Sequence, residues 1–388
     1  MGDEEPGAQR PVGPRGSPEH AMTRLELTCE RCHRPASPVA WQCPRCQGPL
    51  TLASWPAFAL HLSDDDHTLW RYGPLLRVPR NVSLGEGFTP LVPCTVPPYG
   101  HFLAKLEFLA PTGSYKDRGT AVLVNHLVAH GVTEVVEDSS GNAGASLAAY
   151  AAAAGIEATI FVPAHASPAK KGQVAVFGAR LVEVPGPRAA AAEACRRAAQ
   201  QAVYASHAWS PLFLLGQMTV AWELWEQMGG TLPDAVVCPL GQGGLLLGLW
   251  RGSLALREGG FASRLPRLYG VQAAACDPIV RAWEAGADAP LPVREGETVA
   301  EGVRIAAPVR GREVLAALRA TAGGALRVEE HAIVDAQRAL ARRGLFVEAT
   351  SATAVAALPA VRRLVGPSAQ IVVPLTGSGL KQGHWGDS

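Results

Sequence analysis

The sequence has no apolar run approaching the roughly 20 residues that a membrane-spanning helix needs, so no membrane partner is expected. It also has no excess of one charge, since 35 lysines and arginines face 34 acidic residues and leave a net charge of +1. Nucleic acid is therefore not an expected partner either. Residues 1–20 lack the apolar core of a signal peptide, so we expect a cytoplasmic location. Residues 1–23 are polar and rich in proline and glycine, which predicts a disordered tail.

Cysteine is sparse outside one short segment. Four of the eight cysteines are scattered, and we predict that each is an inert, mostly buried thiol: Cys94, Cys195, Cys238 and Cys276. Disulfides are not expected in a cytoplasmic protein. The other four form two C-x-x-C pairs with ten residues between them: Cys29, Cys32, Cys43 and Cys46.

Two C-x-x-C pairs can complete a closed tetrahedron of thiolates, which favours a structural zinc ion without an open catalytic position. We predict a zinc-ribbon-like module over residues 24–52, in which residues 37–42 (SPVAWQ) form a short strand. The metal would hold so small a module together. Three alternatives stay open: haem attachment, because His33 completes C-x-x-C-H, a redox dithiol, and four unligated thiols.

From about residue 100, short apolar runs alternate with helical stretches, a pattern typical of α/β folds with parallel sheets. We predict two doubly wound parallel-sheet domains, with residues 53–108 and 207–388 in the larger and 109–206 in the smaller. Ligands of such folds bind at the carboxyl ends of the strands. Turns rich in glycine, serine or asparagine follow three predicted strands, so we expect a ligand there.

Lys116 lies in the segment PTGSYKDRG (residues 111–119) at the start of a predicted helix. The positive end of the helix dipole lowers the proton affinity of an amine, which favours a nucleophilic lysine. Taken alone, a lysine between charged residues is more often an ordinary surface side chain.

Two turns between a strand and a helix have the composition of anion sites. In residues 138–144 (DSSGNAG), hydroxyls and backbone N–H groups suit a carboxylate, although Ser139 or Ser140 also fits an ordinary helix cap. In residues 241–244 (GQGG), missing side chains let N–H groups approach a phosphate. Leu246 interrupts the dinucleotide pattern G-x-G-x-x-G, which favours a mononucleotide-like phosphate monoester.

Thr376 follows the last predicted strand, in the run TGSGL (residues 376–380). Its hydroxyl suits the ring nitrogen of a heterocyclic cofactor. A hydroxyl partner, unlike a carboxylate, leaves that nitrogen largely unprotonated and favours elimination and replacement chemistry. The alternative is an ordinary turn near the carboxyl terminus.

In this order, the segments resemble the fold-type II pyridoxal-phosphate enzymes, the tryptophan synthase β-subunit group, and within it the threonine synthases. The resemblance covers about residues 80–382, and the lysine segment is its most specific motif. Many members also carry an amino-terminal zinc-ribbon-like piece. Further matching segments are LGEGFTPL (84–91), SSGNAG (139–144), GVQAAACDP (270–278), TVAEGVRI (298–305) and GLFVEATSA (344–352).

The resemblance implies pyridoxal 5′-phosphate bound as a Schiff base on Lys116, which would also move protons at the substrate carbons. It implies that Asn142 binds the cofactor's 3-hydroxyl, that Tyr115 packs near the ring and that Thr376 meets the pyridine nitrogen. The residues implied for the phosphate are Gly241, Gln242, Gly243, Gly244 and Leu245. The residues implied for the substrate are Ser114, Ser139, Ser140 and His207.

The implied reaction removes phosphate from Cγ of O-phosphohomoserine and adds water at Cβ to give threonine, and a homodimer is expected. Phe213 departs from the pattern, because it stands about where threonine synthases have an arginine available to the substrate phosphate. His207, Ser206, Ser114 and Lys105 are candidates to compensate. The alternatives are a related lyase or replacement enzyme on serine, threonine or another substituted amino acid, a non-catalytic cofactor-binding relative, and a nucleotide-dependent oxidoreductase.

Overall fold

The computed structural model describes residues 25–60, 62–63, 65–166 and 168–382, so the tail predicted at residues 1–23 lies outside the described residues. No helix in these ranges is both long and apolar enough to cross a bilayer.

The strands are β1 (Leu27–Cys29), β2 (Pro35–Ala36), β3 (Leu50–Leu52), β4 (Leu91–Val96), β5 (Gly100–Lys105), β6 (Glu134–Glu137), β7 (Glu157–Pro163), β8 (Arg180–Val184), β9 (Val203–Tyr204), β10 (Ala235–Pro239), β11 (Arg267–Ala273), β12 (Gly324–Val328) and β13 (Ile371–Pro374). The α-helices are α1 (Gly73–Leu76), α2 (Lys116–Ala129), α3 (Asn142–Ala154), α4 (Pro168–Ala175), α5 (Arg188–Ala198), α6 (Pro211–Gln227), α7 (Gly244–Glu258), α8 (Pro278–Glu284), α9 (Gly311–Ala320), α10 (Glu330–Ala341), α11 (Ala349–Ala356) and α12 (Leu358–Val365). Short 3₁₀ helices span Leu69–Tyr72, Glu107–Leu109, Glu301–Val303 and Gly379–Lys381.

The smaller sheet is parallel throughout, with the strand order β8-β7-β6-β9. Helices α3, α4 and α5 connect its strands, as the alternation of apolar runs and helical stretches predicts. Strand β7 is largely buried because helices cover both faces of a parallel sheet, which explains its nearly continuous apolar run.

The larger sheet has the order β12-β11-β10-β13-β5-β4 and is mixed rather than wholly parallel. Its neighbouring strands are parallel except β4, which pairs antiparallel with β5 from Leu91 opposite Lys105 to Val96 opposite Gly100. Only residues 97–99 join the two strands, and so short a connection permits only an antiparallel pair. The predicted α/β class is confirmed, with this one antiparallel edge as the difference.

The order of the larger sheet creates a crevice at the carboxyl ends of its strands. Strand β10 lies between β11, which follows it in the chain, and β13, which comes last. At such a reversal the loops after neighbouring strands diverge and leave room for a ligand. Residues 241–244 follow β10 and Thr376 follows β13, so both turns face this crevice. Strands β6 to β9 lie within residues 109–206, whereas the exact domain boundaries stay predictions.

The cysteine module is a small antiparallel sheet of order β2-β1-β3. The strand predicted at residues 37–42 is wrong: the Ala40 N–H donates to the Ser37 carbonyl oxygen in a turn, at 3.0 Å. Pro38 has no N–H to offer a sheet, which favours a turn there. The sulfur atoms of all four predicted ligands nevertheless lie within 4.8 Å of one another.

Candidate active site

A cavity of about 700 Å³ lies where the turns of the two sheets meet. Ser114, predicted to contact the substrate, does not line it. Its side chain is fully buried, and Oγ has no hydrogen-bond partner among the described residues. Its backbone bridges to Gly377, so Ser114 packs behind the cavity wall. The predicted residues that line the cavity are Lys116, Ser139, Ser140, Asn142, His207, Gly241, Gln242, Gly243, Gly244, Leu245 and Thr376.

Lys116 is the first residue of α2 and points its amine into this cavity. The Nζ atom lies 4.6 Å from the ring centroid of Tyr115 and 5.6 Å from that of Phe213. Its surroundings are therefore aromatic, whereas the buried lysine Lys105 is held by a carboxylate. An amine placed in this way is available to react with a carbonyl carbon.

Asp117 fixes the turn that carries Lys116. Its fully buried carboxylate accepts hydrogen bonds from Thr112 N at 2.7 Å, from Thr112 Oγ1 at 2.6 Å and from Ser146 Oγ at 2.7 Å. Ser146 belongs to α3, so Asp117 connects the first turn of α2 to a second helix that begins at the cavity. The sequence alone gives Asp117 no role, although it belongs to the lysine motif.

Arg118 lies at the centre of a buried charge network between α2 and α6. Its guanidinium donates to Glu107 at 2.7 Å from both Nε and Nη2, and to Glu223 at 2.7 Å from Nη2. Lys105 Nζ donates to the same Glu223 at 2.7 Å. Burial raises the pKa of Glu223, but Arg118 and Lys105 outweigh burial and lower this pKa to about 2. The positive charges of Arg118 and Lys105 therefore offset the negative charges of Glu107 and Glu223 inside the protein.

The structure corrects two of the residues expected to compensate for Phe213, because neither Lys105 nor Ser206 lines the cavity. Lys105 is completely buried in the network and does not line the cavity. Ser206 is also buried outside the lining, where its Oγ accepts the Ala208 N–H at 3.3 Å. Their side chains serve the fold, because each polar atom is already satisfied within the protein.

The serine-rich turn at residues 138–144 brings Asn142 and α3 to the cavity. A Cβ atom on Gly144 would lie 1.9 Å from the Ser139 carbonyl oxygen, so the turn closes only on glycine. Asn142 Nδ2 donates to Glu348 Oε2 at 2.9 Å. Glu348 also lines the cavity and was not predicted as a site residue, although it belongs to the matched run at residues 344–352.

The glycine turn after β10 forms the start of α7. Gly243 has a φ of +88° and a Cβ there would lie 2.3 Å from Val314 Cγ2, so only glycine fits. The Gln242 side chain accepts the Val309 N–H at 3.1 Å and so anchors the turn from outside. The backbone N–H groups at the start of this 15-residue helix are left to receive an anion.

Thr376 lies opposite the lysine turn. Its Oγ1 and Ser351 Oγ share a hydrogen bond of 3.0 Å, and Ser351 Oγ also accepts the Gly377 N–H at 3.0 Å. The Thr376 carbonyl oxygen accepts the Tyr115 N–H at 3.0 Å. The residue that precedes Lys116 is therefore tied directly to the end of the last strand.

His207 lines the cavity, and the buried ring of Phe213 packs against it. Its Nδ1 lies 2.8 Å from Glu137 Oε1, and its ring centroid lies 6.0 Å from that of Phe213. Burial and the neighbouring Asp138 charge raise the pKa of Glu137. Burial and the charges of Lys116 and Arg188 lower the pKa of His207. Both shifts favour the uncharged form of each group.

Arg188 is a cavity residue that the sequence did not predict. It is the half-buried first residue of α5, and its charge reaches both His207 and Glu137. No local pattern distinguishes it from an ordinary arginine at a helix start. It becomes a site residue only because α5 begins at the same edge of the small sheet as α3.

Comparison with known proteins shows to which family the chain belongs. Residues 82–377 match the family described as pyridoxal-phosphate dependent enzyme. The threonine synthase of Methanocaldococcus jannaschii is 35% identical over 81% of this chain and 80% of its own, and that of Methanosarcina acetivorans is 34% identical over 87% and 86%. The structure of a threonine deaminase from T.th. is 30% identical and superposes with a TM-score of 0.64 over 75% of this chain and 92% of its own. The chain therefore belongs to the pyridoxal-phosphate dependent enzyme family.

Proposed function

We propose that this enzyme removes phosphate from Cγ of O-phosphohomoserine and adds water at Cβ to give threonine. One observation carries the proposal: relatives that share about a third of their residues over most of both chains are threonine synthases. The site supports the proposal, because the amine of Lys116, the glycine turn at residues 241–244 and the hydroxyl of Thr376 face one cavity. The homodimer and the cytoplasmic location expected from the sequence stay predictions.

The cavity residues fit pyridoxal 5′-phosphate. The N–H groups of residues 241–245 at the start of α7 suit its phosphate, and the Asn142 amide and the Thr376 hydroxyl suit its ring hydroxyl and ring nitrogen. When bound, the cofactor supplies an electron sink that stabilises negative charge at the substrate Cα.

The protein supplies orientation and proton transfer. Lys116 would hold the cofactor through its amine and, once the substrate amine replaces it, move protons at Cα and Cβ. Ser139, Ser140 and the N–H groups at the start of α3 would orient the substrate carboxylate. Asp117 would keep Lys116 in place through its three hydrogen bonds to Thr112 and Ser146.

Gly243→Ala is expected to weaken cofactor binding about tenfold or more, since a left-handed alanine costs roughly 1–2 kcal/mol before the clash with Val314. Titration of cofactor-free protein with pyridoxal 5′-phosphate measures the dissociation constant. Gly172→Ala is the control, because its Cβ meets nothing within 4 Å. Equal affinities of the two variants would contradict the assignment of this turn to the phosphate.

An arginine for the substrate phosphate is missing at position 213, and Arg188 in the cavity lining would supply this positive charge instead. Arg188→Gln is therefore expected to raise KM for O-phosphohomoserine. Loss of a charge-assisted hydrogen bond of about 1.5–3 kcal/mol corresponds to roughly 10- to 150-fold. Initial rates over a range of substrate concentrations separate KM from kcat. Arg196→Gln, exposed on the same helix, is the matched control. An unchanged KM in Arg188→Gln would show that another group binds the phosphate.

A second function is favoured by Phe213, whose apolar ring lies 5.6 Å from Lys116 Nζ. An apolar group there suits a substrate without a phosphate, as in a lyase acting on serine or threonine. The likeness to the threonine deaminase from T.th. points the same way. Phosphate release from O-phosphohomoserine supports the first function, whereas a 2-oxo acid formed from serine or threonine, without phosphate release, supports the second.

We also propose a structural zinc ion at the cysteine module. Sulfur separations of 3.3 Å (Cys29–Cys46), 3.6 Å (Cys32–Cys43) and 3.7 Å (Cys32–Cys46) suit four thiolates around one ion. A tetrahedron with Zn–S bonds of about 2.3 Å has edges of about 3.8 Å. Convergence of both pairs favours zinc over haem attachment or a redox dithiol, each of which uses one pair. Metal analysis is expected to find one zinc ion per chain, and less in Cys43→Ser.

A further inference from the structure

Arg310 connects the cysteine module to the body of the enzyme. Its side chain is 2% exposed and lies just before α9. Nη1 donates to Glu30 Oε1 at 2.8 Å, and Nη2 donates to the Leu50 carbonyl oxygen at 2.7 Å. Both acceptors adjoin the proposed ligand Cys29, since Glu30 follows it and Leu50 pairs with it across β1 and β3. Arg310 therefore holds the backbone around the first cysteine pair.

The same arginine reaches the active site. Nη2 also donates to the Trp209 carbonyl oxygen at 2.6 Å, two residues beyond His207. Val309, the residue before Arg310, donates its N–H to Gln242 Oε1 at 3.1 Å in the glycine turn. One buried segment thus contacts the cysteine module, the His207 segment and the turn that would bind the cofactor phosphate.

An aromatic contact links the module to the site by a second route. Trp41 lies two residues before Cys43, and its ring centroid is 5.0 Å from that of Tyr204 and 5.2 Å from that of Trp209. The Tyr204 hydroxyl donates to Asp138 at the head of the serine-rich turn. The module therefore packs against two of the segments that line the cavity.

We propose that Arg310 is a positioning residue through which metal binding at the cysteine module strengthens cofactor binding. With the metal bound, the four thiolates fix the backbone at Glu30 and Leu50, which in turn fixes the side chain of Arg310. The hydrogen bonds from Arg310 to Trp209 and from Val309 to Gln242 then hold the His207 segment and the glycine turn in position. Without the metal, the cofactor must order these contacts itself, which weakens its binding. The inference rests on the proposed zinc site and is independent of which amino acid is the substrate.

The test is the dissociation constant of pyridoxal 5′-phosphate for cofactor-free protein, followed by absorbance. Wild type and Arg310→Met are compared, each with zinc and after chelation. Removal of zinc is expected to weaken cofactor binding by about 5- to 150-fold in wild type, the usual range for coupled sites, and by less than about twofold in Arg310→Met. Because coupling is reciprocal, the cofactor should tighten zinc binding in wild type by the same factor.

Arg312→Met, exposed two residues further along the chain, is the matched control and should keep the wild-type coupling. Glu30→Gln changes only the module side of the contact and should also reduce the coupling, which keeps the test valid if Arg310→Met folds poorly. Equal weakening by chelation in all four proteins would overturn the inference. Protein that binds no zinc would overturn the zinc site as well, whereas zinc-loaded protein without coupling overturns only the role of Arg310.

Discussion

Lys116→Ala is expected to lower kcat/KM by at least about 10²- to 10⁴-fold, the contribution of a positioned acid–base group. The substitution removes the amine that lies over the Tyr115 and Phe213 rings and that would both hold the cofactor and move protons at the substrate carbons. The visible absorption band of the bound cofactor should also disappear on dialysis, because alanine cannot hold the cofactor covalently. Initial rates and absorption spectra of the purified proteins measure both effects.

Lys171→Ala provides the matched control for Lys116. Lys171 pairs with Glu183 at the surface of α4, at 2.8 Å, and does not line the cavity. Its replacement should leave the rate and the spectrum unchanged. If Lys116→Ala kept wild-type activity, or if the wild-type enzyme were colourless, the assignment of Lys116 as the cofactor lysine would be wrong.

Arg118→Met is expected to lower the free energy of unfolding by about 3–5 kcal/mol, the usual cost of removing one partner from a buried charge pair. Methionine fills a similar volume but leaves Glu107 and Glu223 buried with one cation, Lys105, instead of two. The network lies directly behind Lys116, so cofactor binding should weaken as well. Urea denaturation followed by circular dichroism measures the change in stability.

The control for this prediction is a solvent-exposed ion pair of the same residue types. Arg197 donates to Glu193 at 2.9 Å on α5, with both side chains 65% exposed. Arg197→Met should change stability by less than about 1 kcal/mol, because solvent screens the pair. Similar losses in Arg118→Met and Arg197→Met would show that the buried network contributes no more than a surface pair.

The lysine motif illustrates how far sequence reasoning reaches. The sequence predicts Lys116 at a helix start, and it is the first residue of α2. The sequence does not predict the roles of its neighbours Asp117 and Arg118, because each also has a partner far along the chain. This partner is Ser146 for Asp117, 29 residues away, and Glu223 for Arg118, 105 residues away. Local patterns describe where a residue lies on its own element but not which distant residue it meets.

Side-chain direction is a second feature that local sequence patterns do not predict. Ser114 precedes Lys116 by two residues, yet its side chain is buried behind the wall while the lysine enters the cavity. Lys105 is an apparent phosphate partner in the sequence and a fully buried member of a charge network in the structure. In both cases packing against neighbouring elements decides the direction, and composition carries no information about it.

By itself, the sequence determined the α/β class, the clustering of the four cysteines and the turns that carry Lys116, Asn142, Gly243 and Thr376. These follow from local physics: apolar periodicity, ligand spacing and the conformations that glycine permits. Only the tertiary structure decided which residues complete the site, because strand order and helix packing bring together residues that the chain keeps far apart. Glu348 reaches Asn142, Arg188 reaches His207, and Arg310 joins the cysteine module to the cofactor turn for that reason alone.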